Sequence, residues 1–175
     1  MSSVISVTEE LPLCNNVFSK LDLNGDTIIV RGACRSDRDR VIEFLESLDL
    51  ESVYERFYHI VRDFSSYVDS LINSGAVIVV AEFRGRIVGM AEAVACRRDS
   101  VEIGFIVSRD FRGRGVGTAL CLSLAEACRK LGFKSVRAFI KRHNVPALRI
   151  ARKLGASIKP SPEPDTILVE ACLEN

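Results

Sequence analysis

The chain has 175 residues and 19.4 kDa, with 24 Lys+Arg against 23 Asp+Glu and a formal net charge of +1. That length suits one domain with a sizeable core. A composition of 47% hydrophobic and 27% charged residues excludes a mainly disordered, collagen-like or fibrous chain. A balance of +1 gives no whole-chain reason to expect nucleic acid or a membrane surface as partner. No apolar run approaches the roughly 18 residues of a membrane span, the longest strand-like one being Gly75 to Ala81. The first ten residues lack a basic region and a long apolar core, so they read as neither signal nor transit peptide, and a cytoplasmic location is expected. Six cysteines (14, 34, 96, 121, 128 and 172) include no C-x-x-C pair. Cys121 and Cys128 share a helix face but sit about 10 Å apart along its axis, too far to bond. Free buried thiols are expected in preference to a disulfide or metal framework.

Residues 1–20 read as an irregular N-terminal extension and 21–175 as a single domain. Asn24-Gly25 between apolar segments predicts a hairpin over 21–30. Ser36 followed by Asp39 resembles a capping box, and Val41, Phe44, Leu45 and Leu48 then recur at helical spacing. A second stripe (Leu50, Val53, Tyr54, Phe57, Ile60) and a third (Phe64, Tyr67, Val68, Leu71, Ile72) follow before Gly75. Ala76 to Phe83, Arg86 to Cys96 and Val101 to Val107 then read as three strands of an antiparallel meander. A helix from about Val116 to Leu131 leads into strand Ser135 to Ile140. Asn144 suits the N-cap of a helix that has Pro146 in its first turn and ends at Leu154-Gly155. A Pro-rich turn at 160–164 precedes a last strand, Thr166 to Cys172. This order defines an α+β, mixed α/β three-layer domain.

The segment from Val101 to Leu120 carries the chemistry. A strand runs into Arg112-Gly113-Arg114-Gly115-Val116-Gly117-Thr118, which opens directly onto a helix. Glycines admit a ligand close to the backbone and the helix start presents free N–H groups, an arrangement suited to phosphate or pyrophosphate. Arg112 and Arg114 can add charge-assisted contacts. A Walker loop would need Gly-Lys-Ser/Thr, which is absent. A dinucleotide fingerprint would need glycine at Thr118 and an acid where Lys141-Arg142 stand, and the meander argues against a parallel βαβ unit.

Here the sequence resembles the GNAT superfamily of N-acetyltransferases. The acyl-CoA loop pattern Arg/Gln-x-x-Gly-x-Gly/Ala is met by Arg112 to Gly117, with the meander before it and Asn144 to Gly155 after it. Within the superfamily the chain is most similar to bacterial and archaeal protein lysine acetyltransferases, through Leu23 to Arg31, Glu51 to Tyr58 and Glu102. The resemblance implies a mostly antiparallel central sheet flanked by helices, with acetyl-CoA as cosubstrate and no metal. It implies pyrophosphate on the N–H groups of Arg114 to Thr118, the pantetheine arm along the backbone of Phe105, Ile106 and Val107, and cofactor contacts at Asn144 and Ala147. Gly104 is consistent with a bulge or a close backbone approach.

A lysine amine has a reference pKa near 10.4, so a carboxylate must accept its proton before attack. Glu102, at the start of the cofactor strand, is the candidate general base, and Glu92 on the neighbouring strand is the reserve. Many members of the superfamily carry a tyrosine to protonate the leaving thiolate where this chain has Ala151, which leaves the general acid unassigned. His59 and His143 are expected in surface or capping roles. The leading expectation is direct transfer of acetyl from acetyl-CoA to a protein lysine. Alternatives are a GNAT enzyme acting on a small amine or protein N-terminus, and an acyl-CoA-binding regulatory module without turnover. Residues 109–153 hold 12 basic and 2 acidic residues, net +10, and the remainder is net −9. The basic segment suits polyanionic CoA, and the acidic helices before it suit a cationic amine acceptor such as a basic protein, with no direct role for nucleic acid or membrane. The oligomeric state is left open.

Overall fold

The computed structural model describes residues 9–174. The first eight residues, including most of the stretch read as lacking a leader, lie outside the described residues. Eight strands form one sheet in the order β1-β2-β3-β4-β5-β6-β8-β7, in which the β5–β6 pair alone is parallel. The strands are β1 (Val17–Leu23), β2 (Asp26–Gly32), β3 (Val77–Phe83), β4 (Arg86–Arg97), β5 (Ser100–Val107), β6 (Ser135–Lys141), β7 (Ser157–Pro160) and β8 (Thr166–Cys172). The helices are α1 (Arg38–Glu46), α2 (Leu50–Phe57), α3 (Phe64–Asn73), α4 (Val116–Lys130) and α5 (Val145–Lys153).

The Asn24-Gly25 hairpin forms as the sequence implies, with positive φ at both positions (52° and 90°) and Leu23 paired with Asp26. β1 starts at Val17, inside the stretch expected to be an irregular extension. The segment before it is also fixed: Leu11 is buried and Cys14 is disulfide-bonded to Cys34. This pairing overturns the expectation of free thiols throughout. Gly32 lies so close to the Leu13 carbonyl that a Cβ there would overlap it, and backbone hydrogen bonds from Asn15 to Gly32 (3.0 Å) and from Gly32 to Asn16 (2.9 Å) bring the two cysteines together. Cys121 and Cys128 are free and buried, as expected; Cys96 is half-buried and Cys172 exposed.

The Ser36–Asp39 capping box does not form. A 3-10 turn over Arg35–Asp37 precedes α1, and Asp37 is its N-cap residue, accepting from the Cys34 N–H at 2.7 Å. Buried Asp37 also receives two hydrogen bonds from Arg31 (2.8 and 2.9 Å), while Glu82 joins Arg31 and Arg40 (2.9 and 2.8 Å). One acid thus links strand, turn and helix in a charge network at the start of α1.

Helices α1 and α3 cover one face of the sheet, packing Val41, Phe44, Leu45, Val68 and Leu71 on Ile78, Val80 and Met90. α4 covers the other face, with Val116, Leu120, Leu124, Ala127 and Cys128 against Val79, Ala91 and Val101. Gly89 makes room for Leu120, whose Cδ1 would stand 2.9 Å from a Cβ at that position. Leu131, expected as the last residue of this helix, is its C-cap and is 43% exposed. α5 places Ala147 and Ala151 over Ile140 and Val169.

The stripe expected on α2 largely fails to bury. Val53 is 5% exposed, but Leu50, Tyr54 and Ile60 are 73%, 52% and 65% exposed. α2 buries Ser52 and Val53 beside the gap in the sheet, while Leu50 and Tyr54 lie on its outer side and Ile60 beyond its end.

Candidate active site

Strands β5 and β6 pair through three rungs, the last being Glu102 with Arg137, and then separate. Beyond it, the β6-facing edge of Gly104 to Val107 has no strand partner among the described residues, although its other edge stays paired with β4. The separation opens a cleft of about 1040 Å³. It is bordered by both strands, the start of α4, the buried face of α5 and one side of α2. A volume of this order accommodates a long ligand together with a second reactant.

The glycine loop sits at the mouth. Gly113 and Gly115 have φ of +73° and +84°, the left-handed region that a side chain would strain. They turn the chain sharply so that α4 points its first turn into the cleft. Gly115 is the N-cap and supplies no capping side chain, and the first N–H bonded back to the loop is that of Ala119, to the Gly115 carbonyl (3.0 Å). The preceding N–H groups carry the positive end of a 15-residue helix toward any anion in the mouth. Gly117 faces Phe105, whose Cε2 would lie 3.2 Å from a Cβ.

Of the residues expected to hold the cofactor, Phe105, Ile106, Val107, Arg112, Gly113, Gly115, Val116, Gly117, Thr118, Asn144 and Ala147 all border the cleft, whereas exposed Arg114 does not. Arg112 is held internally: its Nε donates to the Val107 carbonyl at 3.1 Å and its Nη2 to the Ser52 hydroxyl at 2.7 Å. It therefore braces the loop against β5 and α2. Asn144 caps α5, its Oδ1 accepting from the Ala147 N–H at 3.2 Å, and borders the cleft at the same time.

The two candidate carboxylates occupy different surroundings. Glu102 borders the cleft with its side chain 44% exposed and its Oε2 3.6 Å from Arg137 Nη2. Glu92 is 3% exposed, is ion-paired with Arg56 and accepts from the Tyr67 hydroxyl at 2.8 Å; it does not border the cleft. The bulge anticipated at Gly104 is absent, since the rung Glu92–Gly104 continues the regular β4–β5 register. The close approach is present, and it is made by the Arg56 guanidinium, which a Cβ at Gly104 would overlap.

α2 is fastened across the cleft largely by polar contacts. Asp49 caps it and pairs with Arg109 (3.1 Å), and the hydrogen bond from Arg109 followed by that from Ser52 holds its carboxyl well below the usual range. At the other end the Tyr58 hydroxyl donates to the Phe139 carbonyl of β6 at 2.7 Å. Exposed His143 pairs with Glu55 at 2.8 Å, tying α2 to the segment after β6, while exposed His59 makes a local contact with the Phe57 carbonyl. Tyr58 was visible in the sequence as part of a helix motif; its bridge to β6 was not, because it depends on where α2 lies. Cys121 also borders the cleft, and burial pushes its thiol up to about 12, so at neutral pH it is protonated and a poor nucleophile.

A sheet that splits beside a glycine-rich helix start defines an acyltransferase-type cleft, and comparison with known proteins agrees. The chain matches the model of the acetyltransferase (GNAT) family over residues 38–156, more than half its length, and belongs to that family. Its fold is similar to the GNAT domain of S. lividans PAT, at 22% identity and a TM-score of 0.78, covering 90% of this chain and 96% of that one. It is also similar to yncA, described as a putative acetyltransferase from Salmonella typhimurium with its cofactor acetyl-CoA (19% identity, TM-score 0.69, 85% and 95% covered). A phosphinothricin acetyltransferase from Sinorhizobium meliloti, in complex with acetyl-CoA, matches at 25% identity with a TM-score of 0.69 (83% and 88% covered). Among the described residues no helix is long and apolar enough to cross a membrane.

Proposed function

We propose that the protein transfers the acetyl group of acetyl-CoA to an amine, a protein lysine side chain being the acceptor. The observation that carries this reading is the parting of β5 from β6 immediately after Glu102, with the open start of α4 at the same cleft. The first turn of α4 receives the pyrophosphate and the unpaired edge of Gly104 to Val107 receives the pantetheine amides, as strand edges bind extended ligands. Glu102 accepts the proton of the acceptor ammonium, and the neutral amine attacks the thioester carbon directly. Cys121 is protonated by its burial, which favours direct attack over an acyl-cysteine intermediate.

The lysine assignment is supported by the resemblance of Leu23 to Arg31 and Glu51 to Tyr58 to protein lysine acetyltransferases. Glu102, half-exposed at the cleft, suits the approach of a cationic amine. A small amine is the second reading, favoured by the likeness to a phosphinothricin acetyltransferase. The test is mass spectrometry of acetyl transfer to matched panels of lysine peptides, free N-terminal peptides and small amines. Modification of lysine side chains supports the first reading and transfer confined to small amines the second. Tight acetyl-CoA binding without thiol release would instead indicate a non-catalytic acyl-CoA-binding module.

A further inference from the structure

α2 lays one charged side chain, Arg56, onto the sheet. Gly104 lies on the same face of β5 as Glu102, two residues or about 7 Å further along, and its partner on β4 is Glu92. The place of a side chain at position 104 is filled by the Arg56 guanidinium. Glu92 pairs with Nη2, the Tyr67 hydroxyl lies 3.4 Å from the same atom, and Cζ stands 4.8 Å from the centre of the Phe57 ring. A guanidinium has five N–H donors, and among the described residues Nε and Nη1 have no hydrogen-bond partner. The side chain borders the cleft and is 21% exposed. Glu92 and Tyr67 thus hold one end of the group while its remaining donors stand beside the strand edge that faces the cleft.

Other cations at the cleft are engaged or displaced. Arg112 braces the loop, Arg137 pairs with Glu102, and Lys141 lies over the Tyr58 ring at 4.6 Å. Arg149 and Lys153 are on α5, away from the face that carries Glu102. Arg56 shares that face with Arg137, but it is Arg56 that stands over Gly104, between the proposed base and the strand segment proposed to hold the thioester.

We propose that Arg56 is a catalytic residue that stabilises the negative charge developing on the thioester; this assignment rests on the transferase reading above. The ammonium proton passes to Glu102, and the amine lone pair forms the N–C bond while the carbonyl π pair moves onto oxygen. The oxyanion then reforms the carbonyl as the C–S bond breaks and its electron pair leaves on sulfur, and the nitrogen, cationic since the attack, gives its second proton through water to the thiolate, leaving a neutral amide and a free thiol. Both anionic centres arise beside a cation already oriented by Glu92, which needs no reorganisation during the reaction.

The test uses the full chain, acetyl-CoA and the best amine from the acceptor panel, with kcat, acceptor KM and acetyl-CoA affinity by calorimetry as readouts. R56K retains charge but cannot both reach Glu92 and cover Gly104. Paired replacement in R56M/E92Q leaves no buried charge alone, so the fold survives removal of the guanidinium. Loss of a preorganised oxyanion contact lowers kcat by about 100-fold or more, and this is expected in R56M/E92Q with acetyl-CoA affinity and acceptor KM within about two-fold of wild type. G104A, which displaces the guanidinium while leaving every charge present, is expected to lower kcat as well. Wild-type kcat in R56K and R56M/E92Q, or a raised acceptor KM with kcat intact, would overturn the assignment and leave Arg56 as an anchor for α2. Absence of transfer by the wild type to every amine would defeat the transferase reading itself.

Discussion

Glu102 and Arg137 face one another on the last rung shared by β5 and β6, with Oε2 3.6 Å from Nη2. The pair marks the apex of the cleft: on one side of it the sheet is continuous and on the other the strands separate. A carboxylate at that apex is fixed in position by its strand and remains open to a reactant. Glu102→Gln is therefore expected to lower kcat at least about 100-fold, the lower end of the range for a general base, while acetyl-CoA affinity measured by calorimetry changes less than two-fold. Undiminished turnover would remove Glu102 from the base role.

The glycine loop yields a separate prediction. Gly115 is the N-cap of α4 at φ +84°, where an alanine costs about 1–2 kcal/mol of backbone strain. Relaxation of that strain would re-aim the N–H groups of the first turn. Gly115→Ala is expected to weaken acetyl-CoA binding about 10-fold by calorimetry, the equivalent of roughly 1.4 kcal/mol. Unaltered affinity would place the pyrophosphate elsewhere.

The Cys14–Cys34 disulfide closes a loop of 20 residues and holds the segment before β1 against the end of β2. Restriction of the unfolded chain by a loop of that size is worth about 3 kcal/mol. Cys14→Ser/Cys34→Ser is expected to lower Tm by roughly 6–12 °C in scanning calorimetry, as a domain of this size loses about 2–4 °C per kcal/mol. Turnover at 25 °C should persist, since neither cysteine borders the cleft.

The network at the start of α1 makes stability depend on acid. Burial opposes ionisation of Asp37, but the hydrogen bonds from Arg31 and the Cys34 N–H outweigh it and hold the carboxyl below its ordinary 3.8. Glu82, likewise opposed by burial and favoured by Arg31 and Arg40, is held below 4.5. Both folded-state values are depressed, so their contribution is complete above the unfolded values and disappears as pH falls through the folded ones. Urea unfolding is expected to show stability falling below about pH 4. Asp37→Ala, which leaves buried Arg31 with Glu82 as its one acidic partner among the described residues, is expected to cost about 1.5–3 kcal/mol at pH 7 and to flatten this acid limb. An unchanged pH slope in the variant would locate the acid sensitivity in other carboxylates.

Much of the cleft could be read from residue order. Asn24-Gly25 pointed to a hairpin, three short-linked apolar runs to a meander, and the glycines at 113, 115 and 117 to a helix start open to a ligand. Asn144 and Pro146 likewise announced the start of α5. Features set by tertiary pairing stayed hidden. β7 is four exposed residues with no internal periodicity, and it is a strand because β8 is beside it. The disulfide joins cysteines 20 residues apart whose approach depends on the fit of Gly32 against Leu13. The place of α2 is hidden for a related reason: its apolar residues recur at helical spacing, and only the tertiary fold sets the helix beside the gap between β5 and β6. Arg56 gains its position from that placement, and the bareness of Gly104 makes sense once the guanidinium is seen above it.

The central claim is that the cleft between β5 and β6 transfers acetyl from acetyl-CoA to a lysine amine with Glu102 as base. Its most direct test is mass spectrometry of a lysine peptide incubated with acetyl-CoA and either the wild-type protein or E102Q. Acetylation of the lysine side chain by the wild type and its near-abolition in E102Q, with both proteins binding acetyl-CoA equally, is the predicted result. Equal acetylation by the two proteins, or none by the wild type on any amine in the panel, would contradict it.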